Sequence, residues 1–184
     1  MVDSFEKIPI KIFDSLTDGS KFMAKEIAAL IKEKAAKGGK CILGLATGSS
    51  PKTLYAELVR MHREEGLSFK NVIAFNLDEY YPIENTAVQS YKVFMKHHLF
   101  DKIDIDPANC HIPNGGWKKE NIKQRCAEYD ELIKNLGGID LQILGIGTNG
   151  HIGFNEPGSS LYSKTRLVPL ENITRINNAH DFPS

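Results

Sequence analysis

Three short stretches of this 184-residue chain gather the side chains that can do chemistry. The densest is residues 145–157, GIGTNGHIGFNEP. His151 is the side chain best suited to move protons near neutral pH. Glu156 can hold an imidazole in one tautomer, as carboxylates do for catalytic histidines. The recurring glycines allow close backbone approach. A plain glycine-rich turn with a surface histidine is the bland alternative. The clustering of His, Asn and Glu in one short loop weighs against it. The second stretch is residues 76–81, NLDEYY, with two adjacent carboxylates that are costly to bury without partners. A carboxylate held beside a sugar C1–C2 unit can carry a proton between those carbons. Neighbouring residues point in different directions, so one of the pair is expected to face a substrate, and Asp78 is the choice. The third stretch is Thr47, Gly48, Ser49 and Ser50. Gly48 lets the backbone approach a ligand, the hydroxyls donate hydrogen bonds, and free N–H groups at a helix start favour an anion. Phosphate is the natural guest. This stretch is no Walker loop, because Lys52 follows Pro51 and the six-residue glycine spacing is absent. Its bland alternative is a strand–helix turn with a Ser or Thr cap.

The surrounding pattern supplies the elements that must hold these loops. Residues 41–46, CILGLA, form a continuous apolar run that suits a parallel strand buried on both faces. Residues 72–77 form a second such strand, and residues 141–146 a third, less uniform because of Gln142. Each chemical stretch follows one of these strands, where ligands gather in open α/β sheets. A helix is expected from a cap at Thr17 or Ser20 to about Lys37, ended by Gly38 and Gly39. A second helix starts at Pro51, where its missing N–H is no loss, and ends near Gly66. A third starts at Ser90, and a fourth runs over residues 118–136 with Ile122, Cys126, Tyr129 and Ile133 inward. Residues 8–13 are expected as an edge strand, 110–112 as a short strand and 166–170 as a weaker extended segment. Residues 172–184 carry no convincing element. Alternating strands and helices predict an α/β, Rossmann-like, doubly wound, mostly parallel sheet with helices on both faces.

Bulk composition narrows the function. The 23 basic and 23 acidic side chains balance to a formal net charge of zero. No basic stripe is present, so a nucleic-acid partner is not expected. Cys41, Cys110 and Cys126 are odd in number and lack CxxC spacing, which argues against a disulfide framework or a cysteine zinc site. His62, His97, His98, His111 and His180 show no HExxH spacing. No apolar run approaches the ~20 residues that span a bilayer. The N-terminus has no secretory h-region, so a cytoplasmic location is the expectation.

The segments LGLATGSSPKTLYAEL, SFKNVIAFNLDEYYP, SYKVFMKHHLFDKIDI and GIDLQILGIGTNGHIGFNEPGSSLYSKTR together resemble the glucosamine-6-phosphate deaminase (isomerase) family. The resemblance covers residues 8–175, and NLDEY with GHIGFNEP is its most specific part. It implies conversion of glucosamine 6-phosphate and water to fructose 6-phosphate and ammonia. By similarity, His151 opens the pyranose ring, Asn149 and Glu156 support that histidine, and Asp78 moves the proton between C2 and C1. Thr47, Gly48, Ser49 and Ser50 would bind the phosphate. The implied partner is a small sugar phosphate, with no metal or organic cofactor. Ser159 and Arg166 match an effector site that allosteric members place at a subunit interface, but Val168 stands where a lysine is expected. A homo-oligomer is therefore an open expectation. One branch of the family carries Asp at position 149, and His180 stands nearest the position of a familiar arginine. Family members extend well past residue 184, so residues 1–184 are read as a single deaminase-like domain lacking its C-terminal part. Two alternatives compete. One is a 6-phosphogluconolactonase, which shares the fold and a GxGxxGH-like loop but needs no NLDEY shuttle. The other is a non-catalytic sugar-phosphate-sensing domain, which need not retain Asp78, His151 and Glu156.

Overall fold

The computed structural model describes residues 8–179 and residue 182. Helix α1 (Leu16–Ala36) is capped by Ser15, whose Oγ accepts from the Asp18 N–H at 3.1 Å. Thr17 and Ser20 therefore lie inside the helix, and Ser20 is buried. Strand β1 (Cys41–Leu45) is buried at every position. Helix α2 (Pro51–Glu65) begins with proline and ends at Gly66, whose φ of 70° is the left-handed conformation glycine tolerates best. Strand β2 (Val72–Asn76) is again buried throughout. Helix α3 (Tyr91–His98) starts after the predicted Ser90 cap. Strand β3 (Cys110–His111), helix α4 (Ile122–Asn135) and strand β4 (Leu141–Gln142) follow, and α5 (Asn172–Asn178) is the last element among the described residues.

The four strands are parallel and run in the order β3-β2-β1-β4. Side-chain alternation along β1 and β2 divides the core. Cys41, Leu43, Leu45, Val72 and Ala74 pack with the inner faces of α1 and α2. Ile42, Ile73 and Phe75 point the other way, toward Tyr129, Ile133 and Leu136 at α4. Helices thus cover both faces, as the sequence pattern predicts. The strand order reverses between β1 and β4, and such a switch point opens a crevice beyond the carboxyl ends of the strands.

Four expectations are corrected. Residues 8–13 form no strand, and Ile8, Ile10 and Ile12 are exposed without a ladder. Residues 166–170 are likewise irregular. Residues 172–178, expected to lack an element, are helical. The third strand is much shorter than residues 141–146. The Ile143 N–H still donates to the Gly44 carbonyl at 2.9 Å, but Gln142 Nε2 takes the Ile143 carbonyl at 2.9 Å. β1 itself ends at Leu45, so Leu144 and Ile146 have no ladder to join and stand exposed. Cys41, Cys110 and Cys126 are free thiols.

Candidate active site

The loops after β1, β2 and β4 line one cavity of about 1210 Å³. Thr47, Gly48, Ser49 and Ser50 form one wall, Asp78 another and His151 a third. Gly48 has φ of 101°, so the turn into α2 requires glycine there. Ser50 occupies the helix cap position, makes no side-chain cap bond and lines the cavity. The cradle is thus a strand–helix turn without the conventional Ser cap.

The two adjacent carboxylates divide their work. Glu79 turns toward the start of α3. Its Oε1 accepts from the N–H groups of Tyr80 and Tyr91, both at 2.9 Å. Its Oε2 accepts from Ser90 Oγ at 2.7 Å and the Lys92 N–H at 3.1 Å. Three donors at the N-terminus of α3, with the Tyr80 N–H beside them, explain its placement. Asp78 instead faces the cavity. Burial, and then the neighbouring Glu79 charge, push its carboxyl up to about 7.

The third loop supplies a hydrogen-bonded chain. Asn149 Nδ2 donates to Glu156 Oε2 at 2.7 Å, and Asn149 Oδ1 lies 2.7 Å from His151 Nδ1. An amide oxygen only accepts, so Nδ1 carries the proton and Nε2 keeps its lone pair. The His151 backbone N–H also donates to Asn149 Oδ1, at 3.2 Å. Glu156 Oε2 is 3.7 Å from His151 Nδ1, too far for a hydrogen bond, so the carboxylate acts on the ring through Asn149. Burial raises the Glu156 carboxyl, but bonds from Thr174, Asn149 and the Glu171 N–H outweigh it and hold it below the usual range. The His151 ring lies over Gly147, where a Cβ would come 2.5 Å from Nδ1 and closer still to Cε1 and Nε2. Loops two and three also meet: a Cβ on Gly153 would be 3.3 Å from Asp78 Oδ2.

The chain matches a known family. The model for glucosamine-6-phosphate isomerases and 6-phosphogluconolactonase matches residues 15–177. The chain belongs to that family. A glucosamine-6-phosphate deaminase of Mycoplasma mycoides is 49% identical over 162 residues, 88% of this chain and 64% of that protein. Another from Bacillus velezensis is 46% identical, over 88% of this chain and 66% of the relative. A deaminase-like protein of Bacteroides thetaiotaomicron is 48% identical over 92% of this chain, which is 26% of its length. The chain therefore spans about two thirds of the curated deaminases and a smaller share of the longer relative. A solved monomeric glucosamine-6-phosphate deaminase superposes with a TM-score of 0.91 at 41% identity, over 96% of this chain and 71% of that one. A 6-phosphogluconolactonase from Plasmodium vivax shares the fold, with a TM-score of 0.65 at 24% identity.

Within this family fold, the structure brings together Asn149, His151 and Glu156, and sets Asp78 and the residue 47–50 turn on the same cavity. Ser159 and Arg166 also meet, through Arg166 Nη2 donating to Ser159 Oγ at 3.2 Å. Arg166 Nη1 donates to Asn155 Oδ1 at 3.0 Å, so the guanidinium is tied to the third loop. Val168 lines a second cavity of about 510 Å³, which shares Leu77, Asp78 and Phe154 with the first. His180 lies outside the described residues. Among the described residues no group of three or more His, Cys, Asp or Glu is placed to hold a metal ion. No described helix is long and apolar enough to cross a membrane. Sequence reasoning missed Thr174, which is 1% exposed. Its Oγ1 hydrogen-bonds Glu156 and lies 3.3 Å from His151 Nδ1.

Proposed function

We propose that this chain carries the catalytic apparatus that converts glucosamine 6-phosphate and water to fructose 6-phosphate and ammonia. The observation that carries the reading is the shared cavity: a base-like carboxylate, an oriented imidazole and an anion cradle line one space. Identity of 46–49% to the deaminases supports the same substrate class, whereas the solved lactonase is 24% identical.

In this reading the phosphate sits at the N-terminus of α2, against the backbone N–H groups and the hydroxyls of Ser49 and Ser50. That end anchors the sugar, leaving C1 and C2 near Asp78 and His151. His151 Nε2, with its lone pair free, takes the anomeric hydroxyl proton and returns one to the ring oxygen, so the pyranose opens. The positive charge that builds on the imidazole is stabilised by the Asn149 amide oxygen, which Glu156 holds in place. Asp78 then removes the C2 proton; that bonding pair becomes the C1–C2 double bond of an enolamine as the C1 carbonyl π pair moves onto O1, which takes up a proton from water. Delivery of the proton to C1 leaves an imine at C2, which water hydrolyses to the ketose and ammonia. A carboxyl poised at about 7 can both accept and return a proton at neutral pH. Ser159 and Arg166 form the remnant of an effector contact in this reading, with Val168 unable to supply the second cation. The site residues belong to one α/β domain over residues 1–184.

Ammonia and fructose 6-phosphate should form in equal amounts from glucosamine 6-phosphate. The measurement is made on this chain and on a version extended to the length of the deaminases. An extended version that binds the substrate but forms no ammonia would sink the reading. Hydrolysis of 6-phosphogluconolactone in its place would select the lactonase.

A further inference from the structure

The wall that holds Asp78 has a second space behind it. The cavity of about 510 Å³ shares Leu77, Asp78 and Phe154 with the catalytic cavity. Phe154 belongs to the third loop, and its ring packs toward both spaces. The Tyr80 ring, which lines the second cavity and not the first, lies 5.2 Å from it. The Tyr91 ring, which lines the first and not the second, lies 5.9 Å from it with the planes 27° apart. Tyr80 and Tyr91 close the triangle at 4.8 Å. Three rings in mutual contact therefore stand between the two spaces, at separations favourable to aromatic pairs. The backbone around Phe154 is also held. The Ile152 carbonyl accepts from the Asn155 N–H and from Asn155 Nδ2, both at 3.1 Å, and Arg166 Nη1 donates to Asn155 Oδ1 at 3.0 Å. A Cβ on Gly153 would come 3.3 Å from Asp78 Oδ2, so this loop lies directly against the carboxylate.

The geometry points to Phe154 as a specificity-determining residue: its ring closes the catalytic cavity beside the carbon that Asp78 deprotonates, and so limits what that carbon can carry. On the deaminase reading, which this role rests on, the phosphate end of the sugar is held by the turn at residues 47–50. C2 must then come within proton-transfer reach of the Asp78 carboxylate. The substituent on C2 is one bond away from that point, so it meets the wall made by Leu77, Gly153 and Phe154. A free amine places a single heavy atom there. An acylamino group adds a carbonyl and an alkyl carbon beyond it. Tyr80 and Tyr91 back the Phe154 ring, so it cannot swing aside without breaking two ring contacts. A packed wall of this kind rejects extra atoms by overlap. Removing the ring would join the catalytic cavity to the second, whose lining includes the apolar bodies of Tyr80, Trp117 and Leu167. The site thus selects sugar phosphates with a free 2-amine over those whose amine is acylated.

The test compares two affinities by calorimetry. Glucosamine 6-phosphate is titrated directly, and N-acetylglucosamine 6-phosphate is measured as its competitor, so that only the shared site counts. The parent chain should favour the free amine by at least about 10-fold. Phe154→Ala should bring the two sugars within about 3-fold of each other, with the gain on the acylated one. Phe154→Leu keeps an apolar side chain in the wall and should narrow the ratio in part. A residue that only stabilises the fold would lower the melting temperature and weaken both sugars alike. An unchanged ratio in folded Phe154→Ala overturns the role of Phe154, and where alanine is not tolerated an unchanged ratio in Phe154→Leu does the same. A parent chain that binds both sugars equally, or neither, also overturns it. Ammonia release is scored separately. A narrowed ratio without ammonia from any version of the chain sinks the deaminase reading and leaves the wall standing. Ammonia release with an unchanged ratio sinks the wall alone.

Discussion

Gly147→Ala is expected to disable the site while leaving the fold intact. The backbone at Gly147 is not in the left-handed region, so alanine brings no φ strain there. The obstacle is the His151 ring. The added methyl would lie 2.5 Å from Nδ1, whereas ordinary contact begins at 3.4 Å, so the ring must retreat by at least about 0.9 Å. Neither neighbour can follow, because Asn149 is tied to Glu156 at 2.7 Å and Glu156 is pinned by the Glu171 N–H at 3.1 Å. The 2.7 Å contact between His151 Nδ1 and Asn149 Oδ1 would therefore stretch beyond hydrogen-bond range. Misplacing a reacting group by about 1 Å costs on the order of 100-fold in rate. The assay is ammonia release under saturating glucosamine 6-phosphate, beside a thermal melt. The expected outcome is kcat lowered by about 100-fold with the melting temperature nearly unchanged. A folded Gly147→Ala with kcat within about twofold of the parent would refute the packed-ring argument.

Three further outcomes follow from the same contacts. Asp78 is held protonated in the folded chain up to about 7 and ionises near 4 when unfolded, so the folded state binds the extra proton between those values. Its contribution to stability is full below about 4 and is lost as pH rises through about 7; Asp78→Asn should raise the melting temperature relative to the parent at pH 8 and not at pH 4. Thr174→Val keeps the buried volume but removes the hydroxyl from Glu156 and His151, which should cost about 1–2 kcal/mol in urea unfolding and lower kcat several-fold. Glu79→Ala removes the acceptor of the Tyr80 and Tyr91 N–H groups and of Ser90 Oγ, and one of the two acceptors of the Lys92 N–H, and should cost about 2 kcal/mol or more in urea unfolding, with KM rising as the start of α3 at the cavity wall loosens.

The parts legible in the sequence were those set by local pattern. Apolar runs at residues 41–45 and 72–75 marked the two central strands, because burial on both faces favours apolar side chains throughout, with the buried Asn76 as the exception. Proline at 51 and glycine at 66 marked the ends of α2. Placement of the chemical loops at strand ends then followed from the sheet rule, and the β1–β4 switch point is where two of them meet. What failed was decided by partners. Residues 143–146 read as a strand by composition, yet the Gln142 side chain takes the carbonyl that a ladder would need. Residues 8–13 have strand chemistry but pair with no strand among the described residues. Thr174 gave no signal at all, since it lies in a polar stretch 23 residues beyond His151 and meets it only through the fold. The split between Asp78 and Glu79 was foreseeable as a difference in direction, but the four donors that claim Glu79 come from the α3 N-terminus and residue 80.

The account turns on Asp78 as the group that moves the C2 proton. The direct measurement uses glucosamine 6-phosphate carrying deuterium at C2 and follows cleavage of that bond by NMR. The parent chain should break it with a primary isotope effect, and Asp78→Asn should leave it intact while still binding the sugar phosphate. Cleavage by Asp78→Asn at the parental rate would contradict the account.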